Sequence, residues 1–169
     1  MKAIGIALSC ALLAGAAAGP ANATEANQWQ VMTSKEDGTV ITITTGTDNE
    51  NGAYISCASD RLVVGVGVVP GSVKSLIEAS SSERTRSQGA VTTFGDDSTD
   101  VDWIYFPGRK VALVRDFLTA RKFYNAAVLG ETLTWKTAFK DEVRVEFPET
   151  NDVFKSFAND CPVTNPDNQ

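Results

Sequence analysis

Histidine is absent from this chain altogether, and its absence removes whole classes of chemistry. There is no Ser-His or Cys-His pair to activate a nucleophile, and no imidazole to ligate zinc or haem. Cysteine is scarce: three residues, none beside another, so a reactive low-pKa thiol pair is not expected. Positive charge is in the minority, 15 Lys and Arg against 21 Asp and Glu for a formal charge of −6. That balance argues against nucleic acid or an anionic membrane as partner. The S-x-x-K spacing of serine–lysine hydrolases is missing beyond residue 23. Paired carboxylates can cleave glycosides, but nothing among the 21 acidic residues singles out such a pair. No cofactor is expected, and the chain reads as a protein that is not an enzyme.

What is present begins with an address. Met1 and Lys2 give a short positive start, Ile4 to Leu13 an apolar run, and Ala21-Asn22-Ala23 an A-x-A cleavage site. Residues 1–23 therefore read as a secretory signal peptide, too short and too rich in Ala and Gly for a membrane span. Leu8-Ser9-Cys10 looks like the end of a lipobox, but Ala7 stands where leucine is usual and the apolar run continues past it. Cleavage removes Lys2 and takes the formal charge from −6 to −7. No transmembrane segment is expected after cleavage. The remainder reads as one domain over 24–163 and a tail over 164–169, long enough to bury about two thirds of its unfolded surface. Cys57 and Cys161 are an even pair in a compartment where disulfides persist, and read as one structural bridge.

Along this stretch the pattern is first β-like. Trp29 to Thr33, Thr39 to Thr45, Ala53 to Ala58 and Arg61 to Val69 read as strands, with Lys35-Glu36-Asp37-Gly38 as a hairpin turn. Gly65 and Gly67 share one strand face and read as a site of close packing rather than a phosphate loop, which needs glycines leading into a helix. Ser75 to Ser82 has room for a helical turn or two. Ala90 to Phe94, Trp103 to Phe106 and Arg109 to Arg115 read as further strands around Pro107-Gly108. From Asp116 the period changes: Phe117, Ala120, Tyr124, Ala127 and Val128 recur at helical spacing, with Asp116 to cap and Gly130 to stop the helix. A hairpin from Thr132 to Phe147 follows, and Asn151 caps a last helix placing Phe154, Phe157, Ala158 and Cys161 on one face. The fold class expected is α+β: a mainly antiparallel β-sheet with two helices in the C-terminal half and one disulfide.

Two charged segments are candidates for interaction. Asp96, Asp97, Asp100 and Asp102 form the densest acidic run, with the alternation of a calcium loop. The glycine and the closing glutamate of such a loop are replaced by Val101 and Pro107, so the run reads as a solvated acidic loop. Asp48, Glu50 and Gly52 make a thinner version of the same pattern. Arg109, Lys110, Arg115, Arg121 and Lys122 gather five of the 15 basic residues. They suit an acidic partner, internal pairing with the aspartate run, or plain solvation. Trp29, Trp103 and Trp135, each in an expected strand, read as core rather than as a sugar-binding platform.

The order of these segments carries a resemblance. A tryptophan-led first strand is followed by Ile55-Ser56-Cys57, Arg61-Leu62-Val63-Val64, Trp103, Val143-Arg144-Val145-Glu146-Phe147 and Phe154 to Cys161. This resembles the small periplasmic TagO/VasI-like proteins associated with type VI secretion, single-disulfide modules with a strand, helix and cysteine ending. The resemblance implies a periplasmic accessory role. The expected function is thus an exported, periplasmic or secreted, non-enzymatic protein binding another envelope or periplasmic protein. The alternative is an inhibitor or immunity protein that uses its negative charge against a basic cell-wall hydrolase.

Overall fold

Runs of Thr, Val and Ile fit a pleated, half-buried surface, and they build most of this molecule. The computed structural model describes residues 27–33, 41–45, 50–58, 61–78 and 86–164. The expected leader over 1–23, the expected hairpin turn at Lys35 to Gly38, Asp48, Ser59-Asp60 and residues 165–169 lie outside the described residues. The strands are β1 (Gln30–Thr33), β2 (Ile41–Thr44), β3 (Gly52–Ala58), β4 (Arg61–Gly67), β5 (Arg86–Phe94), β6 (Asp97–Phe106), β7 (Val111–Val114), β8 (Thr132–Lys136) and β9 (Glu142–Glu146). They form one sheet in the order β1-β2-β3-β4-β7-β6-β5-β8-β9, with every pairing antiparallel. Among the described residues three α-helices accompany it: the short α1 (Lys74–Glu78), and α2 (Phe117–Leu129) and α3 (Asp152–Asp160) in the C-terminal half.

Register places one set of side chains on a single face across the sheet. Val64 and Val66 of β4 stand opposite Val114 and Ala112 of β7, and Ala112 opposite Tyr105 of β6. Thr92 and Phe94 of β5 stand opposite Trp135 and Leu133 of β8, which face Val143 and Val145 of β9. All of these are buried. The two long helices cover this face, α2 against β4, β5 and β8 and α3 against β1 and β2. Phe123 of α2 packs edge-on to Phe94 and Phe147, with ring centroids at 6.4 and 5.1 Å.

Helix ends follow their expected residues. The Asp116 carboxylate accepts from the Thr119 amide at 2.8 Å, and Gly130 closes α2 in the left-handed conformation (φ 66°, ψ 28°). Asn151 accepts from the Phe154 amide at 3.1 Å and donates to the Trp29 carbonyl at 2.9 Å, fastening α3 to the start of β1. The inner stripe of α2 is corrected, however. Ala120, Phe123, Ala126 and Ala127 are its buried residues, whereas Phe117 and Val128 are exposed. A helix apolar on both sides offers two stripes to a periodicity argument, and the sequence does not say which one meets the sheet.

The sheet curls until its last strand returns to the first half of the chain. Asn51 donates to the Ser72 hydroxyl (3.1 Å) and the Arg144 carbonyl (3.4 Å), and accepts from the Val69 amide (2.9 Å). The Asp141 carboxylate accepts from the amides of Ser75 and Leu76 at 3.1 and 2.7 Å. The expected disulfide is formed: Cys57 in β3 and Cys161 after α3 are bonded, with Cα atoms 5.7 Å apart. The three tryptophans are core, each no more than 1% exposed; Trp103 stacks on Trp135 at 5.0 Å and donates to Thr92 Oγ1 at 2.8 Å.

Candidate binding surfaces

The acidic run does not form a loop. Residues from Asp97 onward belong to β6, because β5 and β6 make a nine-pair ladder closed by the Gly95-Asp96 turn. The Thr-rich pairing of Thr92, Thr93, Ser98 and Thr99 extends that hairpin through a stretch whose aspartates suggested a turn. Ser98, Asp100 and Asp102 share the outer face, where alternate residues stand roughly 6–7 Å apart, too spread to encircle an ion. Asp97 instead meets Lys122 of α2 at 2.7 Å. Among the described residues no group of three or more acidic or cysteine side chains is placed to hold a metal.

The basic segment divides between two places. Arg115 precedes α2, while Arg121 and Lys122 lie on its solvent side, Arg121 with its guanidinium 5.8 Å from the centroid of the Phe117 ring. Arg109 and Lys110 end a 3-10 turn over Pro107–Arg109 between β6 and β7. Lys110 adopts a left-handed conformation (φ 52°, ψ 42°), costly for a residue with a Cβ. Two backbone bonds hold it there: its amide donates to the Pro107 carbonyl (3.1 Å), and its carbonyl accepts from the Val68 amide (2.8 Å). Among the described residues, Arg109 and Lys110 make no ion pair.

These two cations stand at the rim of a trough on the outer face. Gly52 of β3 and Gly67 of β4 are direct partners in the ladder, so no side chain rises from either strand at that level. A Cβ on Gly67 would find its nearest neighbour, the Gly52 carbonyl oxygen, only at 3.9 Å. Tyr54 and Met32 wall one side and Val111 the other, enclosing about 410 Å³ of largely apolar space with Glu50 also at the edge. The two strand glycines therefore differ. Gly65 serves close packing, as expected, because Leu113 covers it; Gly67 opens a space instead. The signal for the trough is the pairing of Gly52 with Gly67, which exists only once the β3–β4 register is known.

Comparison with family models, characterised proteins and solved structures gives no match for this chain.

Proposed function

We propose that this protein is exported to the bacterial envelope and acts there as a binding or accessory protein, with the trough beside Arg109 and Lys110 as its seat for an anionic amphiphile. The observation that carries this reading is the side-chain-free floor at Gly52 and Gly67 with two cations at its rim that form no ion pair among the described residues. An apolar group lies on the glycine floor between Tyr54 and Val111, and a carboxylate or phosphate meets Arg109 and Lys110. The leader-like first 23 residues and the disulfide support an oxidising, extracytoplasmic setting. A place beside a secretion apparatus, as the type VI resemblance implies, fits within this reading.

The test is titration of the oxidised protein with dodecanoate, dodecyl phosphate and dodecylamine below their micelle concentrations, followed by amide NMR. Dodecanoate or dodecyl phosphate should shift the resonances of Gly52, Gly67 and Val111, and the preference between the two identifies the headgroup. Joint Arg109→Ala and Lys110→Ala substitution should weaken binding at least tenfold, and Gly67→Val should abolish it while leaving the circular dichroism unchanged. Equal binding of dodecylamine, or shifts confined to other regions, sinks the proposal. Slowing of a muramidase with no amphiphile bound would replace it with the inhibitor reading.

A further inference from the structure

Helix α2 carries apolar side chains on the face turned away from the sheet. Phe117, Leu118, Val128 and Leu129 are 49%, 69%, 46% and 70% exposed. Phe117 and Val128 are eleven residues apart, as are Leu118 and Leu129. At 3.6 residues per turn each pair falls within about 20° on the helix circumference and roughly 16 Å apart along it. The outer face thus has an apolar patch at each end, with Arg121, Lys122 and Asn125 between.

Charge distinguishes the two ends. Arg115 stands at the N-terminal end, with Arg121 one turn into the helix. At the C-terminal end Glu131 folds over the β5–β6 turn, its Cδ 2.8 Å from where a Cβ on Gly95 would stand, next to Asp96. Among the described residues neither Asp96 nor Glu131 has an ion-pair partner, and both lie at the negative pole of the helix. Between them a cleft of about 330 Å³ is floored by Phe94 and walled by Leu129 and Asn125.

We infer that α2 is the contact surface of a two-fold homodimer in which the helices of two copies lie antiparallel. A two-fold axis at the level of Phe123 sets Phe117 and Leu118 of one copy against Leu129 and Val128 of the other. It brings Leu118 to the Phe94 cleft of the second copy and Arg121 opposite the second copy's Asn125. Each basic end then meets the acidic end, twice by symmetry, so one surface supplies both halves of the contact. Lys122, already bound to Asp97, adds no free like charge at the centre. A single helix pair sits at the small end of specific interfaces, below about 1,200 Å² in total. The dimer is therefore reversible, with a dissociation constant in the micromolar range. The trough, on the opposite face of the sheet, stays open in the dimer.

Sedimentation of the oxidised full chain from low to high micromolar concentration tests this, and a monomer–dimer equilibrium is expected. Leu118→Asp should raise the dissociation constant at least tenfold. The decisive arm uses two reversed proteins, one with Arg115→Glu and Arg121→Glu, the other with Asp96→Arg and Glu131→Arg. Each alone should be monomeric, and an equimolar mixture should associate, because in the mixed pair both end contacts are again attractive. Circular dichroism establishes that both are folded. A wild-type chain that stays monomeric throughout overturns the inference. So does a dimer that the reversals leave intact, or a mixture of folded variants that fails to associate.

Discussion

Leu113 of β7 lies over Gly65 of β4, filling the space that any side chain at position 65 would claim. A Cβ there would stand 2.5 Å from Leu113 Cδ2 and would also collide with the Ala112 carbonyl oxygen, which is backbone and cannot turn away. Gly65→Ala should therefore cost about 1–3 kcal/mol through overpacking. Gly67→Ala, two residues on with open space above it, should be neutral or stabilise by about 0.4–1 kcal/mol by restricting the unfolded chain. Denaturant midpoints at unchanged slope distinguish them. Equal shifts for both substitutions would refute the assignment of different roles to the two glycines.

Cys57 and Cys161 are separated by 104 residues, so their bond ties the second quarter of the chain to its last helix. Constraining an unfolded loop of that length is worth about 4–5 kcal/mol in the chain-entropy account, and removal of such bonds typically costs about 2–5 kcal/mol. Joint Cys57→Ala and Cys161→Ala substitution should lower the unfolding free energy by that range. Reduction should bring the wild-type protein to nearly the same stability. A double variant as stable as the oxidised parent would show that the bond constrains nothing that matters to folding.

Trp103 donates its indole N–H to the Thr92 hydroxyl at 2.8 Å, and both side chains are fully buried. Thr92→Val keeps the shape and removes the acceptor, leaving a buried donor unsatisfied at a cost of about 1–3 kcal/mol. Thr92→Ser retains the oxygen and should recover most of that loss, apart from the methyl group. Near-ultraviolet circular dichroism of the Trp103–Trp135 stack gives an independent reading. Thr92→Val and Thr92→Ser shifting stability alike would mean that methyl packing, not the hydrogen bond, sets the requirement.

Much of this architecture was legible wherever a local rule acts alone. Asp116, Gly130 and Asn151 mark helix ends because capping needs only the neighbouring amides, and the Cys57–Cys161 bond follows from there being two cysteines beyond residue 23. Legibility failed where the outcome depends on which strand lies alongside. Asp97 to Asp102 suggested a loop by composition, yet the partner β5 draws them into a strand. Phe117 and Val128 fit an inner stripe as well as Phe123 and Ala126 do, and only contact with β4 and β5 chooses between them. Arg109 and Lys110 were visible as charges, whereas the glycine floor beside them is a cross-strand fact.

Asp116 supplies a pH-dependent prediction. Its carboxylate accepts the Thr119 amide at 2.8 Å and the Thr119 hydroxyl at 2.7 Å. The backbone bond first, and the hydroxyl bond second, hold its pKa below the usual carboxylate range. A carboxylate depressed in the folded state stabilises it fully above the unfolded pKa of about 3.9, and that contribution is lost as pH falls through the lower folded value. Because the group is exposed and screened, Asp116→Ala should cost only about 0.5–1 kcal/mol at pH 7. The gap to wild type should close as the pH is lowered toward 2. Asp116→Asn keeps an amide oxygen for Thr119 but cannot titrate, so it should match wild type near neutrality and lose less stability in acid. Denaturant midpoints for the three proteins between pH 2 and 7 decide the matter. A wild-type advantage over Asp116→Ala that stays constant to pH 2 would mean the cap's charge contributes nothing to holding α2.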